Sequence, residues 1–162
     1  MEIKVFVEVP KGSRQKYELN EETGRIELDR TIYGPVSFPF EYGHIEHTLA
    51  DDGDPLDALI ITNEATFPGC IVKTKIIGML IMEDEKGIDN KIITVPASKI
   101  NPYYAHIDDI SQLSEHERNC VKEFFEIYKR MEPNKWVKVK EFVGRKEAGK
   151  EVEKTINNYN NK

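Results

Sequence analysis

The 162-residue chain is short of cysteine, of basic excess and of long apolar runs. Cys70 and Cys120 are its only cysteines and neither sits in a C-x-x-C pair, so nothing points to a disulfide framework, a metal knuckle or a redox motif. Uncharged apolar stretches such as Ala58–Thr62 are far too short to cross a bilayer, and the amino terminus has no basic-then-apolar signal pattern. The sequence is therefore expected to be cytoplasmic, with no membrane partner. Lys and Arg number 23 against 29 Asp and Glu, and a net charge of −6 disfavours a nucleic-acid partner, which needs a basic surface to release counterions. The G-x-x-x-x-G-K-[ST], G-x-G-x-x-G and G-x-S-x-G motifs are absent. His44-Ile45-Glu46-His47 lacks the H-E-x-x-H order, and its two His would face opposite sides of a strand, which leaves both outside the expected site.

What is present is the patterning of a globular chain, with 39% hydrophobic residues, 9% aromatics and neither repeats nor linkers. One domain over residues 1–162 is expected, with only Asn157–Lys162 fraying. Ile3, Val5, Val7 and Val9 alternate with polar neighbours as in a half-buried strand. Lys16–Leu19 and Arg25–Leu28 flank Glu22-Thr23-Gly24 as a hairpin, and further strands are expected at Ala58–Thr62, Ile71–Met82 and Lys91–Val95. Ser114-Glu115-His116-Glu117 has capping-box spacing, and Val121, Phe124, Phe125 and Tyr128 follow at helical intervals, so a helix starts there and ends before Pro133. Ala148, Val152 and Ile156 give a weaker second helix. Many short strands with tight turns predict a mainly β small barrel with two or so α-helices packed on its outside.

The densest chemistry lies in Asp51-Asp52-Gly53-Asp54-Pro55-Leu56-Asp57, four carboxylates that run directly into the apolar Ala58–Ile61. Hard divalent cations want several carboxylate oxygens on one point, and clustered carboxylates at the edge of a core repel one another without such a cation. Asp52, Asp54 and Asp57 are expected to converge, and the loop is not an EF-hand because Asp57 stands where that loop requires Gly. A second acidic turn, Glu83–Lys91, could supply partners for a two-metal site, with Asp89 and Lys91 on one strand face. Cations able to hold phosphate are scattered: Lys16 beside Glu18, Arg30 after Asp29, and Lys129 after Tyr128.

These residues resemble the family I soluble inorganic pyrophosphatases. The run D-G-D-P-L-D at Asp52–Asp57 follows Tyr42-Gly43, with E-V-P at Glu8–Pro10, K-Y-E at Lys16–Glu18 and D-R at Asp29-Arg30. Later come D-E-x-G-x-D-x-K at Asp84–Lys91, F-F-E-x-Y-K at Phe124–Lys129 and K-W-V-K-V at Lys135–Val139, in the family's order over nearly the whole chain. The resemblance implies an OB-like five-stranded barrel, Mg²⁺ as cofactor with Mn²⁺ or Zn²⁺ as substitutes and Ca²⁺ as inhibitor, and hydrolysis of pyrophosphate by a metal-activated water. It implies Asp52, Asp57, Asp84 and Asp89 as metal ligands and Asp54 as general base. Lys16, Arg30, Tyr42, Tyr128, Lys129 and Lys91 would act on substrate, while Glu8, Glu18 and Glu85 line the site. It also suggests a homohexamer. The chain departs from the family's Y-P-x-N-Y-G pattern with Phe38 and Glu41 in Phe38-Pro39-Phe40-Glu41-Tyr42-Gly43.

Counting those acids and Lys16, Arg30, Lys91 and Lys129, the site carries four excess negative charges, which about two Mg²⁺ would balance. Substrate is then expected to arrive as its metal complex. The rival readings are a metal-dependent phosphatase or nuclease of other substrates and a non-catalytic Ca²⁺-binding OB-type module.

Overall fold

The computed structural model describes residues 1–162. Its strands are β1 (Glu2–Val9), β2 (Gln15–Asn20), β3 (Arg25–Thr31), β4 (Glu41–Ile45), β5 (Asp57–Ile60), β6 (Ile71–Asp84), β7 (Gly87–Ile88), β8 (Lys91–Pro96) and β9 (Val137–Gly144). Two α-helices join them, α1 (Glu115–Ile127) before β9 and α2 (Arg145–Asn160) after it. The strands β1, β4, β5, β8 and β6 pair in that order, and β6 pairs back with β1. This closes a five-stranded barrel in which β5 and β8 are parallel and the other pairs antiparallel. β7 and β9 extend β6 beyond the barrel, and β2–β3 is a separate hairpin.

Alternation of side chains divides the core in two. Leu59, Ile61, Ile93 and Val95 face the cluster that receives Val121, Phe124, Phe125 and Tyr128 at α1. Ala58, Ile60 and Ile92, one residue out of phase, face the cluster shared with Ala148 and Val152 of α2. Phase changes mark bulges. In β6 a register shift between Ile76 and Gly78 lets Ile76 and Met79 share the α2 side while Ile77 and Leu80 share the other.

A shift in β1 overturns the expected uniform face of that strand. The register skips from Val7 to Val9, so Val5 and Val7 join the α2 cluster but Val9 joins the α1 cluster, and Glu8 becomes the extra residue. The closing pair β1–β4 also needs a glycine. A Cβ on Gly43 would lie 1.8 Å from the Phe6 carbonyl oxygen, a separation no packed atoms tolerate.

The Ser114 capping box is formed, with Ser114 Oγ accepting from the Glu117 amide and the Glu117 carboxylate accepting from the Ser114 amide. The expected fraying of Asn157–Lys162 is not found over its first part. Helix α2 continues to Asn160, because the Asn158 side chain donates to the Leu49 carbonyl and Tyr159 meets His47. The departures in the 38–41 segment belong to packing. Phe38 is buried against Phe40, Tyr42 and Phe124, and the buried Glu41 carboxylate accepts from the Lys11 and Thr66 amides.

Candidate active site

Strand direction assembles the site. Because β5 and β8 are parallel and Ala58 pairs with Ile92, the strand starts Asp57 and Lys91 stand side by side at one end of the barrel. β6 runs against β8 with Leu80 opposite Lys91, so its last residues through Asp84 project past that same end, and the short β7 turn returns Asp89 to it.

Lys91 is the hub. Its Nζ lies 2.5 Å from Asp57 Oδ2 and 2.6 Å from Asp89 Oδ1, and the Tyr42 hydroxyl donates to the same Asp57 oxygen at 2.8 Å. The Lys91 side chain is 2% exposed and its ammonium lies over the rings of Tyr42 and Phe125. Burial works against its charge, but Asp57, Tyr42 and Asp89 outweigh burial and hold its pKa well above the usual lysine value. Burial, reinforced by Asp57, pushes the Tyr42 hydroxyl well up, so it stays a donor. Burial also raises Asp89 against the pull of Lys91, and raises Asp52.

The other cations are also held by carboxylates. Lys129, just beyond α1, places Nζ 2.9 Å from Asp84 Oδ2 and 3.3 Å from Glu85 Oε2. Lys135 reaches Glu85 Oε1 at 3.2 Å. Burial pushes Glu85 up, but a backbone hydrogen bond, Lys135 and Lys129 override it and hold this carboxyl down at about 2. On the hairpin, Lys16 and Arg30 are paired in register; Lys16 meets Glu18, with Asp29 3.5 Å away, and Arg30 meets Asp29. Tyr128 caps α1, and burial raises its hydroxyl as well.

The acidic turn has a different character. Asp52 and Asp54 are exposed, Gly53 takes a φ of +92°, and the Asp54 amide donates to Asp52 Oδ1 at 3.0 Å. Asp51 faces away and pairs with Lys154 of α2 at 2.9 Å.

All but one of the residues expected at the site line a single cleft of about 350 Å³, and Glu8 lines an adjoining one of about 580 Å³. Two expectations need correction. Asp52, Asp54 and Asp57 do not converge as a ready-made metal cage, and Lys91 stands between Asp57 and Asp89. The charge excess is also smaller than four, because Lys86 and Lys135 line the cleft too.

His44 was missed. Its Nδ1 lies 3.2 Å from Glu8 Oε1, which also accepts from the Leu19 amide at 2.9 Å, and it lines the adjoining cleft with Tyr42. Burial lowers the His44 pKa but Glu8 raises it further, so the net shift is upward. The signal was available: His44 lies two residues from Tyr42 and so shares its strand face. Glu132, whose Oε1 lies 3.0 Å from Arg30 Nε, was also missed.

The carboxylates present are hard oxygen donors suited to Mg²⁺-like ions, and cations able to meet phosphate line the same cleft. A closed barrel with such a cleft at its end defines a class of protein that handles a small polyanion together with hard cations. The profile of the family described as inorganic pyrophosphatase matches residues 5–160. The chain is 52% identical to the inorganic pyrophosphatase of Nanoarchaeum equitans, covering 98% of both chains, and 47% identical to that of Streptomyces coelicolor, covering 98% of this chain and 96% of the relative. Its structure superposes on that of the inorganic pyrophosphatase from Helicobacter pylori with a TM-score of 0.97 at 45% identity, covering 98% and 94% of the two chains. The Thermus thermophilus inorganic pyrophosphatase gives 0.95 at 42% identity, covering 98% and 91%. The chain belongs to the inorganic pyrophosphatase family.

Proposed function

We propose that this chain hydrolyses inorganic pyrophosphate to two orthophosphates with Mg²⁺ as the natural cofactor. The observation that carries the reading is the Asp57–Lys91–Asp89 cluster at the strand starts, faced across one cleft by Arg30, Lys16 and Lys129.

Asp52, Asp57, Asp84 and Asp89 would hold the divalent ions. Bound there, such ions neutralise phosphate oxygens and lower the pKa of water toward neutrality. The chain's own groups do the rest. Asp54, exposed in the cleft beside Asp52, takes a proton as water oxygen forms its bond to phosphorus; the bond from that phosphorus to the bridging oxygen breaks, and the bridging oxygen leaves with the second phosphate. Tyr42 and Lys91 fix the Asp57 carboxylate by donating to one of its oxygens, which leaves the other for metal. Lys16 and Lys129 bind phosphate oxygens by exchanging a carboxylate partner for substrate, while Arg30 and the Tyr128 hydroxyl bind them alongside. Glu8, Glu18 and Glu85 hold these cations and the hairpin in place. Pyrophosphate enters as its metal complex, since the acidic turn repels the bare anion. A cytoplasmic homohexamer is the assembly we propose, by resemblance to bacterial members of the family.

Phosphate release from pyrophosphate, ATP, tripolyphosphate and a simple monoester, each with Mg²⁺ and again with Ca²⁺, tests the reading. Release confined largely to pyrophosphate and suppressed by Ca²⁺ is expected. Preferential release from the monoester, or stabilisation by Ca²⁺ with no release from any substrate, would overturn it.

A further inference from the structure

Glu132 follows α1 by one turn of chain and its amide donates to the Lys129 carbonyl at 3.1 Å. The same short segment therefore sends Tyr128 and Lys129 into the cleft and Glu132 toward the β2–β3 hairpin. The Glu132 side chain is 7% exposed, which is unusual for a carboxylate, and its Oε1 is 3.0 Å from Arg30 Nε. The pair is a charge contact without hydrogen-bond alignment, because Arg30 Nε and Glu132 Oε2 are both buried without a hydrogen-bond partner. A carboxylate in that condition costs stability, and the fold could have avoided the cost with an apolar side chain of similar size.

The guanidinium explains what it does there. Asp29 engages Nη1 and Glu132 faces Nε, so the ring of donors is pinned on two sides and Nη2 is the nitrogen left for an incoming oxygen. Arg30 is also 24% exposed at its side chain, enough to swing if held from one side only. The contact crosses between elements, since Arg30 belongs to the hairpin, a separate two-stranded sheet, whereas Glu132 belongs to the segment carrying Tyr128 and Lys129.

We infer that Glu132 is a positioning residue that orients the Arg30 guanidinium and registers the β2–β3 hairpin against the segment after α1, so that Arg30, Tyr128 and Lys129 meet the same phosphate groups. It does not touch substrate itself. This inference rests on the reading of Arg30 as a phosphate contact.

The test is a double-mutant cycle with Glu132→Gln and Arg30→Ala, following KM and kcat for pyrophosphate at saturating Mg²⁺. Glu132→Gln keeps the size and removes the charge. Its loss of kcat/KM is expected to fall mainly on KM and to shrink in the Arg30→Ala background by a factor of roughly 2 to 160, the coupling typical of residues in contact. Glu132→Asp, which keeps the charge on a shorter arm, is expected to recover part of the loss. Equal losses from Glu132→Gln in both backgrounds would overturn the inference, as would an unchanged KM in Glu132→Gln. If Arg30→Ala alone leaves KM and kcat unaltered, the phosphate-contact reading fails first and the inference falls with it, a result distinct from lost coupling. Should Glu132→Ala fail to fold, the isosteric Gln variant still decides.

Discussion

Single side chains carry most of the chemistry, and their burial and partners set what each can do. Asp54 sits in the cleft on an exposed turn, bonded through its amide to Asp52, which leaves its carboxylate free to accept a proton. Asp54→Asn is expected to lower kcat by ~10²–10⁴ with little change in Mg²⁺ affinity, measured by steady-state kinetics and calorimetry. His44 gives a pH signature. Its pKa is raised by Glu8, so the His44–Glu8 pair contributes stability that is fully present below about 6.5 and is lost as pH rises through the raised value. Nuclear magnetic resonance should show His44 titrating above ~6.5. Glu8→Gln should bring that midpoint down; an unmoved midpoint would show that Glu8 is not its cause. At this scale the sequence was informative because each acid of Asp52–Asp57 and Asp84–Asp89 names its own chemistry. His44 and Glu132 were hidden since their value lies in a partner distant in sequence, Glu8 for one and Arg30 for the other.

Elements were legible where pattern and burial agree. Strand β1, the hairpin and the capped helix α1 follow from alternation, turn residues and the Ser114 box. Strand β4 escaped notice because all five of its residues are buried, Glu41 and His44 included, so no polar face marks its period. Strand β9 alternates only over Val137–Lys140; the pattern breaks at Glu141, so its period is too short to mark a strand in sequence. The β1 bulge is invisible in sequence since Val9 is apolar on either face, and the bulge is what frees Glu8 to meet His44 and the hairpin. At the β1–β4 junction Gly43→Ala forces a methyl into the Phe6 carbonyl, and a loss of more than ~4 kcal/mol is expected in urea unfolding, the range of exceptional single substitutions. A milder loss would mean that β1 and β4 can separate there without opening the barrel.

For the whole molecule, the core and the site can be separated by removing metal. The barrel is closed by backbone pairing and by apolar residues on both faces of its strands, none of which needs an ion. Chelation is therefore expected to abolish phosphate release while leaving cooperative thermal unfolding in place. Returning Mg²⁺ should raise the unfolding temperature by mass action, and a collapse of tertiary circular dichroism on chelation would contradict this. The closed five-stranded barrel was legible, its small-barrel class from the many short strands and its strand number from the family resemblance. Its one parallel pair was not, since register between β5 and β8 depends on a connection through β6 and β7.

That parallel pair also supplies charge compensation. With Lys91 delivered between Asp57 and Asp89 by the same register that joins β5 to β8, the folded chain carries its own counter-charge at the cleft. On the proposed function, folding would then not wait for metal, and a cell short of divalent ions would hold intact enzyme in reserve in place of unfolded chain.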